Sequence, residues 1–140
     1  LYFDVIERVR KVRPDITFSS DFIVGFPGES DEDFEDTLDL IRRVGFVSTY
    51  SFLYSARPGT PAANMKNLVR KDIAEARLAR LQALINEQQV AFNKKCEGLT
   101  LPVLLDRKGK KPGQLIGRSP YNQSVYCEAP DKLLNSIQNI

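Results

Sequence analysis

Two carboxylates flank a sharp turn in the first quarter of the chain, and their spacing marks the strongest candidate for a ligand site. Asp21 precedes a short apolar run, and Glu29 follows a turn that contains Gly25, Pro27 and Gly28. An apolar run of this length is typical of a buried parallel strand. Because α/β proteins place ligands where a strand ends in a glycine-rich turn before a helix, we predict that these residues contact a ligand.

The helix that follows the turn limits the charge of that ligand. Ser30 is placed to cap this helix. Carboxylates crowd its first turns, at Asp31, Glu32, Asp33, Glu35 and Asp36. Loops that cradle phosphate rely on a positive, free helix N-terminus, and the nucleotide-triphosphate motif needs a lysine that this turn lacks. The pattern therefore favours a neutral or cationic ligand, and the alternative is a strand-to-helix turn that binds nothing.

A second strand end repeats this arrangement. Residues 46–54 have the alternation and the β-branched and aromatic content of a strand. Tyr54, Ser55 and Arg57 then lead into a segment rich in proline and glycine. Two parallel strand ends that lie side by side form one pocket rim, where Arg57 would hold a carboxylate by a bidentate contact. The alternative interpretation of Arg57 is an arginine in a surface loop.

Helices are predicted to position these two strands. The apolar spacing predicts a helix over residues 2–13, a second between Ser30 and Gly45, and a long third from about residue 69 to 95. In the third helix we expect Arg77 to lie on the flank of the apolar stripe. The second half of this helix is too polar for a deep core, which favours a bridge between two domains.

After Gly98 the sequence changes to an all-β pattern. Strands are predicted at residues 100–105, 114–119 and 123–128, and short strands with glycine-bearing turns favour a small barrel. Residues 133–140 show no closing strand, so we expect the barrel to be unfinished. Cations and rings in this half are typical of an RNA-binding face. The candidates are Lys108, Lys110, Lys111, Arg118, Tyr121 and Tyr126. A solubilising loop is the alternative.

Composition and residue types exclude several classes of function. The 140 residues are 42% hydrophobic and 27% charged, as in ordinary soluble domains. With no histidine, the chain cannot form a histidine-based triad or a zinc site. Cys96 and Cys127 have no paired spacing and are expected to be free thiols, with a disulfide as the open alternative. The sequence has no apolar run of membrane-spanning length and no secretory leader, which predicts a cytoplasmic location without membrane association.

Charge is distributed unevenly along the chain. Residues 1–64 carry 11 acidic and 7 basic side chains, whereas residues 65–140 carry 7 acidic and 13 basic ones. A basic second half favours a polyanionic partner. A solvated lysine-rich surface is equally consistent with these counts.

Several segments together resemble a known family. Residues 21–29 (Asp-Phe-Ile-Val-Gly-Phe-Pro-Gly-Glu), residues 41–45 (Ile-Arg-Arg-Val-Gly) and residues 54–62 (Tyr-Ser-Ala-Arg-Pro-Gly-Thr-Pro-Ala) strongly resemble the methylthiotransferases of the radical S-adenosylmethionine (SAM) superfamily. The tRNA-modifying branch is the nearest match. Residues 77–89 resemble the linker helix of this family, and the sequence from Leu101 onward resembles its TRAM domain, a small RNA-binding β-barrel.

The resemblance implies a fold that combines α/β and all-β parts. Residues 1–67 would form the C-terminal part of a radical SAM partial TIM barrel, and residues 68–97 a linker helix. Residues 98–140 would form an incomplete TRAM barrel of the OB-like type. The chain would thus be the C-terminal portion of a longer enzyme.

The resemblance also implies radical chemistry. In this family a [4Fe-4S] cluster held by a Cys-x-x-x-Cys-x-x-Cys motif cleaves SAM to a 5′-deoxyadenosyl radical. A second [4Fe-4S] cluster, held by three other cysteines, supplies sulfur, and a further SAM supplies the methyl group. The product is a 2-methylthio group on N6-isopentenyladenosine at position 37 of tRNA. Neither cysteine set occurs in this chain, so we expect it to hold no metal, to contain no catalytic residue and to be inactive alone.

The site residues and partners follow by the same resemblance. SAM contacts are expected at Asp21, Gly25, Pro27, Gly28, Glu29, Tyr54, Ser55 and Arg57. Among these, Asp21 is the candidate for a contact with a ribose hydroxyl of SAM. The expected partners are the anticodon stem-loop of tRNA and, for the full-length enzyme, an electron donor and a sulfur donor. Two alternatives remain: the related branch that modifies a ribosomal protein, and an RNA-binding module without catalysis.

Overall fold

A computed structural model describes all residues, 1–140, and divides them into two compact units, Leu1–Phe92 and Asn93–Ile140. The helices are α1 (Tyr2–Val12), α2 (Asp31–Val44) and α3 (Lys71–Cys96), with short 3-10 helices at Pro61–Asn64 and Asp131–Leu133. The strands are β1 (Ser19–Val24), β2 (Ser48–Leu53), β3 (Pro102–Lys108), β4 (Gln114–Arg118), β5 (Ser124–Glu128) and β6 (Ser136–Asn139). The unit boundary falls within α3. None of the helices combines the length and the apolar character that a membrane span requires.

The first unit packs its helices on one face of a parallel strand pair. β1 and β2 pair in register from Ser19 opposite Ser48 to Val24 opposite Leu53. The side chains of Phe22 and Val24 point into the core, where Phe22 meets Phe46 edge to face with ring centroids 5.5 Å apart. The remaining buried members of this core are Ile6, Phe34, Leu38, Ile41, Val44 and Leu81.

Helix α2 begins and ends as its sequence predicts. At its start, the Ser30 hydroxyl accepts a hydrogen bond from the Asp33 amide, and the Asp33 carboxylate accepts one from the Ser30 amide. This reciprocal pair is a capping box, which satisfies two helix-end donors at once. At its end, Gly45 adopts the left-handed conformation with φ of +64°, which glycine adopts without steric cost.

The opposite face of the strand pair carries large apolar side chains that nothing in the chain covers. Ile23, Tyr50 and Phe52 are 58%, 63% and 52% exposed, and Asp21 lies beside Tyr50 on the same face. Parallel sheets in proteins are normally covered on both faces and contain more than two strands. This open sheet face is therefore the main irregularity of the first unit.

The second unit is a four-stranded antiparallel sheet in the order β5-β4-β3-β6. Its core consists of Val103, Leu105 and Leu115, with Leu133 and Leu134 packed against them. The β3 and β4 backbones approach closely at Gly117, since a Cβ there would lie 2.5 Å from the Leu104 carbonyl oxygen.

Strand β6 corrects the expectation that residues 133–140 contain no closing strand. It pairs antiparallel with β3, from Pro102 opposite Asn139 to Leu105 opposite Ser136. The alternation was not visible in the sequence because Ser136 and Gln138 are the partly buried positions, whereas Ile137 is exposed. The strand is specified instead by the backbone, where the Asn135 amide donates to the Leu105 carbonyl at 2.7 Å.

Candidate functional site

The strand-end turn, residues 25–29 between β1 and α2, is built on two left-handed glycines. Gly25 has φ of +76° and Gly28 has φ of +90°. A Cβ on Gly25 would also lie 2.8 Å from the Ala74 Cβ, whereas one on Gly28 would meet only the end of the Asn67 side chain, 2.6 Å from its Nδ2. The backbone conformation favours glycine at both positions, and the close approach of α3 adds to this requirement at Gly25.

Three amide donors of the turn have acceptors within the chain. The Gly25 amide donates to the Glu29 Oε2 at 3.0 Å, the Gly28 amide to the Asn67 carbonyl at 2.8 Å, and the Glu29 amide to the Phe26 carbonyl at 2.9 Å. A phosphate-binding loop presents such amides to its ligand. These three are occupied, and this strengthens the inference that the turn does not bind phosphate.

Arg77 is the residue of this site that sequence reasoning placed wrongly. It was expected on the flank of α3, but only 6% of the residue is exposed. Its guanidinium donates to the Glu29 Oε1 at 2.7 Å, to the Glu29 carbonyl at 3.1 Å and to the Asp31 Oδ1 at 2.6 Å. The sequence did contain a signal, because Arg77 precedes the fully buried Leu81 by four residues and so lies on the same helix face.

The charge of Arg77 is maintained despite its burial. Burial by itself lowers the pKa of Arg77, but hydrogen bonds to Asp31 and Glu29 outweigh this effect and raise the pKa above its ordinary value. The side chain is therefore a permanent cation that is fixed between two carboxylates.

A cavity of about 430 Å³ lies at the ends of β1 and β2. It is lined by Ile23, Phe26, Phe52, Leu53, Tyr54, Ser55, Arg57, Thr60 and Ala62. The Phe26 and Tyr54 rings meet edge to face with centroids 5.3 Å apart. No carboxylate of the chain pairs with the Arg57 guanidinium, and the buried Tyr54 hydroxyl has no hydrogen-bond partner. The cavity thus offers apolar walls and an available cation.

The structure separates the predicted ligand contacts into groups. Tyr54, Ser55 and Arg57 share the strand-end cavity. Pro27, Gly28 and Glu29 line a different, shallower depression beside α2. Gly25 lies with Tyr54 in a third depression against the start of α3, and Asp21 lies on the open sheet face. Their role as ligand contacts stays a prediction.

The basic residues of the second unit differ in their availability. Lys108 is paired with Asp131, and the Arg118 guanidinium donates to the Asn122 carbonyl at 3.2 Å. Lys110 and Lys111 are exposed and form no ion pair with a carboxylate of the chain. Of the three predicted lysines, these two are therefore free to meet a phosphate.

A further surface of the second unit combines two predicted RNA contacts with apolar residues that sequence reasoning did not group with them. On the outer face of the sheet, Leu104 lies between Ile137 on β6 and Arg118 on β4. Nearby, Tyr126 on β5 lies opposite Ile116 on the neighbouring strand β4. Tyr126 and Ile137 are 62% and 67% exposed. The sequence predicted Tyr126 as a stacking ring of an RNA-binding face, but only the strand register places it with these apolar residues.

The chain offers no metal centre of its own. No group of three or more Cys, Asp or Glu side chains is arranged to hold a metal ion, and Cys96 and Cys127 are free thiols.

Comparison with known proteins identifies relatives of the chain. No protein-family model matches it. It is 56% identical over 140 residues to the tRNA-2-methylthio-N(6)-dimethylallyladenosine synthase of Rickettsia conorii, which is 99% of this chain and 32% of that protein. The synthase of Rickettsia felis gives the same identity and coverage. That of Rickettsia rickettsii is 57% identical over 133 residues, which is 95% of this chain and 30% of that protein.

The chain thus spans about a third of the length of the curated relatives that it matches. This finding confirms the resemblance to methylthiotransferases that the motifs indicated. Over nearly its whole length, the chain is similar to the C-terminal part of the tRNA-2-methylthio-N(6)-dimethylallyladenosine synthases.

Proposed function

We propose that this chain is the C-terminal portion of a tRNA methylthiotransferase, in which the first unit contributes part of the SAM site and the second unit binds tRNA. One observation carries the proposal: 56% identity over 99% of the chain to a synthase whose name specifies the modified tRNA nucleoside. At this identity over 140 residues, the two units and their sites are expected to be retained.

The open sheet face supports a position within a larger sheet. A two-stranded parallel sheet that exposes Ile23, Tyr50 and Phe52 has an uncovered apolar face. The outer edges of its two strands also present backbone groups that no further strand pairs with. Further parallel strands from the rest of the protein would cover this surface, as in a partial (β/α) barrel. In this proposal residues 1–67 belong to the barrel, residues 68–97 to the linker helix and residues 98–140 to the TRAM domain.

The residues at the strand ends fit SAM. SAM carries a sulfonium, an ammonium and a carboxylate but no phosphate, which agrees with the occupied turn amides and the acidic start of α2. Arg57 would hold the carboxylate, and the cavity beside Phe26 would accept an apolar ring face. Asp21, which is exposed on the open sheet face, would accept a hydrogen bond from a ribose hydroxyl. When bound, SAM supplies the methyl group and the radical that activates the target carbon.

The iron–sulfur clusters of such an enzyme fall outside this chain. Neither free cysteine lies in a cluster-binding spacing, and no acidic or thiol group is arranged around a metal. The two [4Fe-4S] clusters, with their electron donor and sulfur donor, would therefore be served by the remaining two thirds of the protein. The contribution of this chain is to position SAM and RNA in the cytoplasm, where tRNA is modified.

The second unit has the charge and surface of an RNA-binding domain. Residues 93–140 carry eight basic and four acidic side chains. Lys110 and Lys111 would meet phosphates of the anticodon stem-loop, and Arg118 lies next to the turn that carries Tyr121. The exposed Tyr126 ring adds a stacking position on the adjoining sheet face.

The test uses the full-length synthase that contains this segment. We expect Asp21→Ala to reduce SAM cleavage and tRNA methylthiolation, measured by chromatography and mass spectrometry, while the iron content of the protein is unchanged. The matched control is Asp39→Ala, because Asp39 is an exposed carboxylate on α2 that only pairs with Arg43 at 3.6 Å. Full activity in Asp21→Ala would remove this residue from the SAM site.

Absence of any tRNA methylthiolation by the wild-type protein would refute the proposed function. In that case, retained tRNA binding would favour the non-catalytic RNA-binding module. Modification of a ribosomal protein instead would favour the protein-modifying branch.

A further inference from the structure

We propose that Arg77 is a positioning residue that fixes the strand-end turn from helix α3. The ligand of that turn rests on the proposed function, but the positioning itself rests on the geometry of residues 25–31 and 74–81 alone. Nothing in the sequence motifs of the turn includes Arg77, which lies 48 residues after Glu29.

The first argument is that one guanidinium holds both ends of the turn's final segment. Arg77 Nη1 donates to the side chain and to the carbonyl of Glu29, while Nη2 donates to Asp31. The Glu29 and Arg77 side chains are 12% and 8% exposed, so water competes little for this pair. Asp31 is itself 95% exposed and adds a contact at the surface.

The second argument is that the contact is relayed to the start of the turn. The Glu29 carboxylate binds Arg77 through Oε1 and accepts the Gly25 amide through Oε2. Because both oxygens are engaged, the orientation of the carboxylate fixes the plane of the Gly25 peptide. Ala74, three residues earlier on α3, packs against Gly25 from the same side. Helix α3 thus sets the conformation of the turn at two points.

The third argument concerns why a charge is buried here. A buried ion pair contributes little net stability compared with well-packed apolar residues, because both ions lose their hydration. Arg77 carries an additional cost, since its Nε–H is buried without a hydrogen-bond partner. An apolar residue would pack beside Phe34 without these costs. The ion pair is explained if its benefit is the geometry of the turn rather than the stability of the core.

The experiment compares two arginines one turn apart on the same helix in the full-length protein. Arg77→Lys keeps a positive charge but cannot reproduce the three contacts of the guanidinium. Arg80→Lys is the matched control: Arg80 pairs with Glu35 at 2.7 Å and stacks on the same Phe34 ring, but does not touch the turn. Glu29→Gln tests the relay from the other side.

Two readouts separate positioning from folding. Hydrogen–deuterium exchange of peptides covering residues 22–34 should increase in Arg77→Lys and Glu29→Gln, and not in Arg80→Lys. SAM affinity, measured by calorimetry, should fall by about tenfold in the two turn variants, because binding must then order a turn that Arg77 and Glu29 no longer fix. The thermal midpoint of Arg77→Lys, which keeps the positive charge, should stay close to that of Arg80→Lys, whereas Glu29→Gln, which leaves the buried guanidinium with Asp31 alone, should lower it.

Each outcome decides between the proposals. Unchanged exchange in Arg77→Lys, or exchange that rises while SAM affinity stays at the wild-type value, would overturn the positioning role. A wild-type protein that does not bind SAM would instead refute the proposed function, and the exchange data would still test the clamp on the turn. If Arg77→Lys unfolds, Glu29→Gln, which keeps the shape of the side chain, provides the same comparison.

Discussion

The basic hairpin of the second unit allows a quantitative prediction about RNA binding. Of its lysines, Lys108 is paired with Asp131, whereas Lys110 and Lys111 have no carboxylate partner in the chain. The double variant Lys110→Ala/Lys111→Ala should therefore lose up to two phosphate contacts, and Lys108→Ala should lose less.

The magnitude follows from counterion release. Each phosphate contact contributes roughly 0.7 to 0.9 to the slope of log binding constant against log salt concentration. Loss of two contacts should make the slope shallower by roughly 1.4 to 1.8. Between 50 and 200 mM salt, the affinity deficit of the double variant should then shrink by about tenfold.

The assay is fluorescence anisotropy of a labelled anticodon stem-loop, titrated with the protein at four or more salt concentrations. The control is Lys11→Ala/Lys66→Ala, which removes the same charge from exposed positions of the first unit. The reasoning is refuted if the slope of the hairpin variant equals that of the wild type, or if the control changes it equally.

Three further predictions address the sheet face, the core and the helix cap. Tyr126→Ala should weaken single-stranded RNA binding by about 1 to 3 kcal/mol without changing the salt slope, because a stacking contact releases no counterions; an equal effect of Tyr2→Ala, an exposed ring in the first unit, would contradict this. Leu81→Ala should lower the free energy of unfolding by about 2 to 5 kcal/mol in urea titration, since Leu81 is fully buried in the first core, and a loss near zero would contradict its place in that core. Hydrogen bonds from Ser30 lower the pKa of Asp33. The ionised Asp33 carboxylate therefore stabilises the folded protein at pH values above the ordinary aspartate pKa, and this stabilisation is lost as the pH falls through the lowered pKa. The stability difference between wild type and Asp33→Asn should therefore shrink on acidification from pH 7 to pH 3, and a constant difference would contradict the assignment.

Local signals in the sequence were sufficient to predict most elements. The α2 cap at Ser30, its end at Gly45 and the parallel strands on either side follow from short-range rules, and the structure confirms them. The same rules indicated the glycine turn, because left-handed conformations at Gly25 and Gly28 need glycine in any context.

The rest depended on long-range contacts. Strand β6 turns its polar residues inward, so its pairing with β3 left no alternating apolar pattern. Arg77 was expected on the flank of the apolar stripe of α3, and nothing in the sequence pointed to its carboxylate partner Glu29, which lies 48 residues away. The pairing state of Lys108 likewise depends on Asp131, 23 residues further on. Such partners become visible only when the fold brings the segments together.

Three amides of the strand-end turn already donate hydrogen bonds within the chain, and this affects which cellular molecules could compete with SAM for the proposed site. Adenine nucleotides share their adenosine moiety with SAM and differ by the phosphates that they carry. A turn whose Gly25, Gly28 and Glu29 amides already have acceptors, next to the acidic start of α2, offers those phosphates no compensation for lost hydration. In the proposed SAM site, the occupied amides of this turn would therefore disfavour the binding of ATP relative to that of SAM.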